Sequence, residues 1–361
     1  MEKVDLKNLT LPELTAWVEG LGLKPFRARQ IFAWIHRPDF TGFDQMTDIA
    51  KHVRALLAEK ARLSRLEPAR VEHSTDGTVK FAFNLEDGHV IESVLIPEDD
   101  RHTLCVSSQV GCAMGCNFCL TGTMGFVRNL TAAEIIGQVD AAIRSRMAAS
   151  QQQQMDGWQT QGAPRWINNL VFMGMGEPLL NFDNLLKAIN ILMEQRGHDF
   201  SSRRITVSTC GIVPKMKQLG EQVPVNLAVS LHAVEDEIRD QLMPVNKTYP
   251  VDELLRACRE YPLPPRRRIM IEYVMIKDLN DSSAQARLLV KKLHGIRCKI
   301  NILPYNENPD FPYQRPDDET VENFRQILRR AGHTTLLRHS RGADISAACG
   351  QLAAQSGVEA T

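Results

Sequence analysis

No stretch of this chain approaches the roughly 18 uninterrupted apolar residues that read as a membrane-spanning helix. The N-terminal MEKVDLKNLTLPEL also lacks the basic-then-apolar run of a secretory signal. A soluble, cytoplasmic protein with no membrane partner is therefore expected. An excess of charge of either sign is missing too, since 43 Lys and Arg face 43 Asp and Glu. A neutral total argues against a general polyanion binder, although it can hide a local patch. Cysteine is sparse, eight in 361 residues. In a cytosolic chain of this size such a set is not a disulfide framework, and clustered cysteines bind metal or do chemistry. What is present, 43% hydrophobic and 24% charged residues, supplies a sizeable core and excludes disorder across most of the chain.

The first 65 residues read as helical. Leu9 to Gly22 carries apolar residues at helical spacing after Thr10, with Pro12 near its start and Gly20 and Gly22 at its end. Phe26 to Trp34 and Phe43 to Leu63 give two more amphipathic runs. Residues 21–70 hold ten Lys or Arg against five acids, which suits either a grip on phosphate or a solvated helical face. Between 66 and 97 the period drops to two, and TVKFAFNL and HVIESVLI flank the turn signal Glu86-Asp87-Gly88, predicting a β-hairpin. From residue 103 strand-like runs alternate with helix-like ones. The strands are TLCVSSQV, INNLVFMG, RRITVSTC, VNLAVSLH, RIMIEYVMI, CKINILPYN and TTLLRHS. Thr131 with Glu134 three residues on reads as a capping box. Repeated units of this kind predict an α/β fold with a parallel sheet, open or closed into a barrel, and chemistry at the strand C-terminal ends. Residues 148–166, rich in Gln, read as a mobile surface loop.

The segment GCAMGCNFC sets Cys112, Cys116 and Cys119 in a CxxxCxxC arrangement. Thiolates suit iron-sulfur clusters and zinc, and close spacing lets one loop wrap one group. A closed zinc site needs a fourth ligand, and only Cys105 lies at comparable range. Three cysteines on a loop after the first strand better suit a cluster with one iron left open. Cys210, Cys258 and Cys298 read as core residues.

This spacing resembles the radical S-adenosylmethionine (SAM) superfamily. CVSSQVGC, TGTMGFVRNLTAAEI, FMGMGEPLLN, SLHA, MPVN, EYVMI, INILPYN and GADISAACGQLA further resemble its RNA adenine-C2 methyltransferases, over about residues 10–352. The resemblance implies an incomplete parallel (β/α) barrel of the radical SAM type with an N-terminal helical module and a β-hairpin. The corresponding divisions are 1–65, 66–100 with Glu92, 101–349, and a tail 350–361. It implies a 4Fe-4S cluster on Cys112, Cys116 and Cys119, and SAM as cofactor, two molecules consumed per methylation. It implies 2-methyladenosine formation in 23S rRNA at the peptidyl transferase centre and in tRNA at the adenosine 3′ of the anticodon, with an electron donor such as flavodoxin.

The same resemblance assigns roles. Cys349 is first methylated; a second SAM, cleaved reductively, gives a radical that takes hydrogen from that methyl, and the thiomethylene radical bonds to adenine. Cys105 then attacks the adduct's sulfur, leaving a Cys105–Cys349 disulfide, and Glu92 removes the proton from the adenine carbon. Gly176 and Glu177 in GMGEP, with Ser208, Ser230, Leu231, His232 and Asn306 at later strand ends, match SAM contacts. Without it, Cys349 reads as a small core filler, Glu92 as an exposed strand carboxylate, and the rest as ordinary turn residues. Three rival readings remain: an adenine-C8 rRNA methyltransferase of the antibiotic-resistance type, a radical SAM enzyme acting on protein or small molecules, and a non-catalytic RNA-binding protein with a structural metal.

Overall fold

In the computed structural model, residues 3–99, 101–155 and 165–353 are described, 152–155 by their backbone alone. Three helices form the N-terminal module: α1 (Leu11–Gly20), α2 (Phe26–Ile35) and α3 (Lys51–Lys60). Thr10 and Glu13 cap α1 reciprocally, the Thr10 amide donating to Glu13 Oε2 at 2.9 Å. The third helix is shorter than its apolar pattern predicts. Asp48 accepts from Trp34 Nε1 at 2.6 Å and Gln30 Nε2 at 2.9 Å, which draws residues 46–50 out of helical geometry. Two short parallel strands, β1 (Val4–Asp5) and β2 (Ala61–Arg62), join the ends of the module.

One ten-stranded sheet carries the rest. Its antiparallel part is β3 (Pro68–His73), β4 (Val79–Asn84), β5 (Val90–Glu98) and β6 (Arg101–Cys105). The β4–β5 hairpin turns at the predicted site. Strand β3, rich in exposed polar residues, has no apolar alternation that would announce it. A separate pair, β7 (Gln109–Gly111) and β8 (Phe126–Asn129), follows with the short α4 (Leu120–Thr123) between them.

From β6 the sheet is parallel and runs in chain order through β9 (Asn169–Phe172), β10 (Ile205–Thr209), β11 (Asn226–Ser230), β12 (Ile269–Met275), β13 (Cys298–Pro304) and β14 (Thr335–Leu337). Helices α5 (Ala132–Met155), α6 (Phe182–Met193), α7 (Val213–Gln222), α8 (Asp236–Leu242), α9 (Val251–Glu260), α10 (Ser283–Lys292) and α11 (Asp318–Arg330) connect these strands. Among the described residues no pairing closes β14 back on the sheet, so the barrel is incomplete, as the resemblance implies. Strands buried on both faces read as near-continuous apolar runs, which is why β9 to β13 were visible in the sequence; β14, with Leu336 exposed, is marked by its leucine pair alone.

The Thr131–Glu134 capping box is present, Glu134 N donating to Thr131 Oγ1 at 3.2 Å. From that cap α5 runs to Met155, so residues 148–155 are helix and not loop; Ala, Gln and Met favour helix, and no Gly or Pro interrupts them. The remainder of the Gln-rich segment, 156–164, lies outside the described residues.

The module sits on α5. Lys7 Nζ and Asp140 Oδ2 meet at 2.6 Å in the interior, and Ala133 N donates to Asn8 Oδ1 at 2.8 Å. His36 of the module faces His198 of the barrel with ring centroids 5.6 Å apart.

Candidate active site

The cysteine loop is closed at its neck. Strands β7 and β8 pair, and Cys112 N donates to Gly125 O at 2.8 Å. Gly111, at φ +70°, makes the turn possible, since an added Cβ would lie 1.8 Å from the Gly125 carbonyl oxygen. Asn181 of the PLLN motif donates to the carbonyls of Ser108 (2.8 Å) and Leu130 (2.7 Å), steadying both sides of the neck. The loop presents Cys112, Cys116 and Cys119 to one cavity at the strand C-terminal ends.

All three thiols are held above their ordinary range. Burial raises Cys112 to about 11, aided by Glu177 and Cys119. Burial and then the charges of Cys119 and Cys112 raise Cys116, and burial raises Cys119. A thiol set of this kind ionises only against a cation, which fits an iron-sulfur group. Among the described residues no three His, Cys, Asp or Glu side chains form a group that could hold a metal ion. Tetrahedral zinc needs four donors around one point. A 4Fe-4S cluster would instead be held by Cys112, Cys116 and Cys119, which line the same cavity.

The opposite wall comes from the ends of β9 to β13. Gly176, at φ +95°, lets the turn after β9 press on β7, where an added Cβ would come 2.5 Å from Gln109 Cβ. The close approach at this glycine is thus to the chain itself, and Glu177 N donates to Gln109 Oε1 at 2.9 Å. The Glu177 carboxylate accepts from Leu179 N at 3.0 Å and Cys210 N at 2.8 Å. Burial nevertheless raises its pKa against those bonds. Ser208 and Ser230, half-buried, line the cavity with His232 and Asn306. His232 accepts at Nδ1 from Val274 N at 3.1 Å, and burial, aided by Arg239, pulls its pKa to about 3. It is therefore neutral at physiological pH. Leu231 is fully buried and off the cavity wall, its amide bonded to Glu272 O at 3.0 Å.

A second cavity adjoins the first. It is lined by Cys105, Val94, Ile96, Leu337 and residues 338–341, and the two share Cys119, Gly174, Asn306 and Cys349. Cys349 thus stands on a wall common to both. It is exposed only in the sense that it faces these spaces, because burial in the surrounding protein raises its thiol, followed by the Glu272 charge. Its segment is fastened on several sides. Leu120 N donates to Gly350 O (2.8 Å), Thr121 Oγ1 to Leu352 O (2.7 Å), and Asn306 Nδ2 to Cys349 O (3.3 Å).

Cys105, at the end of β6, is buried, and its thiol is raised by burial and then by the charge of Cys349. Glu92 is not an exposed strand carboxylate. It is buried beneath residues 352–353, with Ala353 N on Oε2 at 3.1 Å and Lys80 Nζ 3.7 Å from Oε1, and it lines neither cavity. Burial raises its pKa against Lys80. Cys258 and Cys298 are core residues, whereas buried Cys210 also reaches the first cavity.

Two groups escaped the sequence reading. Arg239 is fully buried, and its guanidinium donates to the carbonyls of Cys210 (2.7 Å), Leu231 (3.1 Å) and Ser230 (3.2 Å) and to Asn246 Oδ1 (2.9 Å). The MPVN motif that holds Asn246 was its only signal. Glu272, in EYVMI, lines the first cavity.

Comparisons with known proteins agree with this geometry. A family profile described as the ribosomal RNA large subunit methyltransferase N-terminal domain matches residues 4–63, and the Radical SAM superfamily profile matches 153–289. A dual-specificity RNA methyltransferase RlmN of Desulfotalea psychrophila is 55% identical over 352 residues, 98% of this chain and 95% of that one. The protein of the same name from Syntrophobacter fumaroxidans is 49% identical, covering 99% and 100%. The crystal structure of a radical SAM methyltransferase from Sphaerobacter thermophilus superposes with a TM-score of 0.87 at 45% identity, over 98% of this chain and 100% of that one.

Proposed function

The chain belongs to the RlmN family of dual-specificity RNA methyltransferases, and from that premise we propose that it forms 2-methyladenosine in 23S rRNA, at the peptidyl transferase centre, and in tRNA, 3′ of the anticodon. The superfamily's 4Fe-4S cluster and SAM supply the methyl group and the one-electron chemistry that an unreactive aromatic carbon demands. Cys112, Cys116 and Cys119 would hold the cluster. Glu177, the Gly176 backbone, Ser208, Ser230, His232 and Asn306 would hold SAM, with Leu231 acting only through its neighbours' backbone.

The observation that carries the reading is the position of Cys349 between two cavities, one walled by the three thiols and the other by Cys105. In this reading Cys349 receives a methyl from the first side and hands it to a nucleobase in the second. Cys105 stays protonated and silent through burial until the adduct forms, then attacks its sulfur and releases product as a disulfide. Glu92 serves as the base for the adenine proton, which asks residues 350–353 to lift away from it.

Residues 1–65 would grip the RNA backbone. Lys24, Arg29 and Arg37 carry no acidic partner among the described residues, whereas Arg65 and Arg70 are paired within the chain. Residues 66–100 would carry Glu92 to the catalytic part, 101–349, ahead of the tail 350–361. An electron donor such as flavodoxin would supply the reducing equivalent.

Nucleoside mass spectrometry on unmodified 23S rRNA and bulk tRNA, treated with the anaerobically reconstituted enzyme, SAM and a reductant, tests this. The expected product is 2-methyladenosine in both RNAs, abolished by Cys349→Ala. Product only at carbon 8, or none from enzyme with a verified cluster, overturns it.

A further inference from the structure

We propose that Glu272 takes the thiol proton as Cys349 accepts its methyl group. The proposal rests on the reading of Cys349 as methyl acceptor and adds the residue that makes it a nucleophile. A cysteine attacks as thiolate, and an ordinary thiol, with a pKa of about 8.5, still carries its proton at neutral pH. Some group must receive the proton at neutral pH.

Strand geometry selects Glu272. Along β12 successive side chains alternate, so Glu272 and Val274 line the first cavity while Tyr273 packs on Phe324 of α11, ring centroids 5.3 Å apart. Glu272 and Cys349 line the same space, and the Glu272 carboxylate is the strongest single charge acting on that thiol. Asn301 Nδ2 donates to Glu272 Oε1 at 2.9 Å, and no donor among the described residues reaches the other oxygen. The rival carboxylates are committed. Both oxygens of Glu177 accept backbone amides, and Glu92 lies outside the cavity under Ala353. Facing Glu272 are Asn301 and Lys299 of β13, Arg338 beyond β14 and neutral His232 after β11, and facing Cys349 are Glu272, Arg338 and Cys119. Burial, only partly offset by Arg338, Asn301 and Lys299, raises its pKa to about 7, so the accepting form is present at neutral pH.

The step balances. The Cys349 S–H bond breaks and its proton passes to the open Glu272 oxygen. The sulfur bonds the methyl carbon as that carbon's bond to the sulfonium breaks, and S-adenosylhomocysteine leaves neutral. A carboxylate and a sulfonium become two uncharged groups, the favourable direction around a carboxylate that is itself buried.

The test follows alkylation of Cys349 by iodoacetamide against pH in the anaerobically reconstituted holoenzyme without SAM, read by peptide mass spectrometry. The wild type is expected to gain rate near pH 7, level off, and rise again above the ordinary thiol range. In Glu272→Gln only the upper rise remains, and the rate at pH 7.5 falls roughly tenfold or more. Glu272→Asp restores the lower rise in part. A Glu272 that acted only by its charge would give the opposite, because removing a negative neighbour makes the thiolate easier to form and the Gln variant faster at every pH. That result, or a wild-type profile with a single rise above pH 9, overturns the proposal, and the second needs no variant to fold. After incubation with SAM, methyl missing from wild-type Cys349 would sink the acceptor reading. Methyl present there, with alkylation unaffected by Glu272→Gln, would sink only the role of Glu272.

Discussion

Arg239 shows what one side chain does to hold the strand ends in place. Its guanidinium ties the carbonyls at the ends of β10 and β11 to Asn246, with no carboxylate in contact among the described residues. Replacing it with Met leaves several buried acceptors unpaired, each a desolvation cost that nothing recovers. Arg239→Met is expected to destabilise the enzyme by about 3 kcal/mol, read as a lower urea midpoint, and to weaken SAM binding in isothermal titration. An unchanged midpoint refutes this account. Residues of this kind resist reading from sequence, because an Arg in EDEIRDQL looks like a solvated helical charge. Glu272 hides likewise in an apolar strand. Cys112, Cys116 and Cys119 were legible for the opposite reason, since their spacing is itself the chemistry.

At the scale of elements, the hairpins do more than extend the sheet. The turn between β3 and β4 grips the segment bearing Cys349: Ser74 Oγ and Thr75 N donate to Asp344 at 2.6 and 3.1 Å, Gly342 N donates to Asp76 at 2.9 Å, and Lys80 Nζ reaches Ile345 O at 2.6 Å. Hydrogen bonds from Ser74 and Thr75 hold Asp344 below the usual carboxylate value. Burial pushes Asp76 up, but bonds from Thr78 and Gly342 outweigh it and hold it well below. Both depressed values mean the grip is complete above pH 3.8 and is lost as pH falls through and below it. Asp344→Ala is expected to speed deuterium uptake across 342–353 roughly tenfold while leaving β9–β13 unchanged. Equal uptake in both proteins would show that the segment is held by other contacts. The central barrel strands were readable because burial on both faces makes them predominantly apolar. Strand β3 was not, since its exposed Arg and Glu carry no period; α7, as long as α9 and α10, was masked by Pro214 and Gly220 within its run, and α8 spans only seven residues.

Across the whole molecule the module and the barrel meet over buried titratable groups. His36, whose ring nitrogens have no hydrogen-bond partner among the described residues, and His198 are both lowered by burial, as is His232 in the cavity. Each is neutral when folded and takes up a proton on unfolding once pH drops below the ordinary 6.5. The histidines' contribution to stability is therefore full above that value and declines beneath it, opposed by the buried carboxylates Glu92, Glu177 and Glu272, whose raised values favour the folded state as pH falls. Measured against a His36→Leu variant, the wild-type thermal midpoint is expected to lose roughly 5 °C on going from pH 7.5 to pH 5.5. His36→Leu should flatten that dependence, and an identical slope in the variant would remove His36 from the explanation.

The closed neck of the cysteine loop bears on how the enzyme survives its own chemistry. Small zinc domains fold around their ion and collapse without it. Here β7, β8 and Asn181 join the loop's ends through the chain's own bonds, so the entropy of closing it is settled when the polypeptide folds. Loss of a cluster would then leave those closing bonds in place. The neck would keep Cys112, Cys116 and Cys119 on one closed loop, so that fresh iron and sulfide could restore the enzyme without resynthesis of the chain.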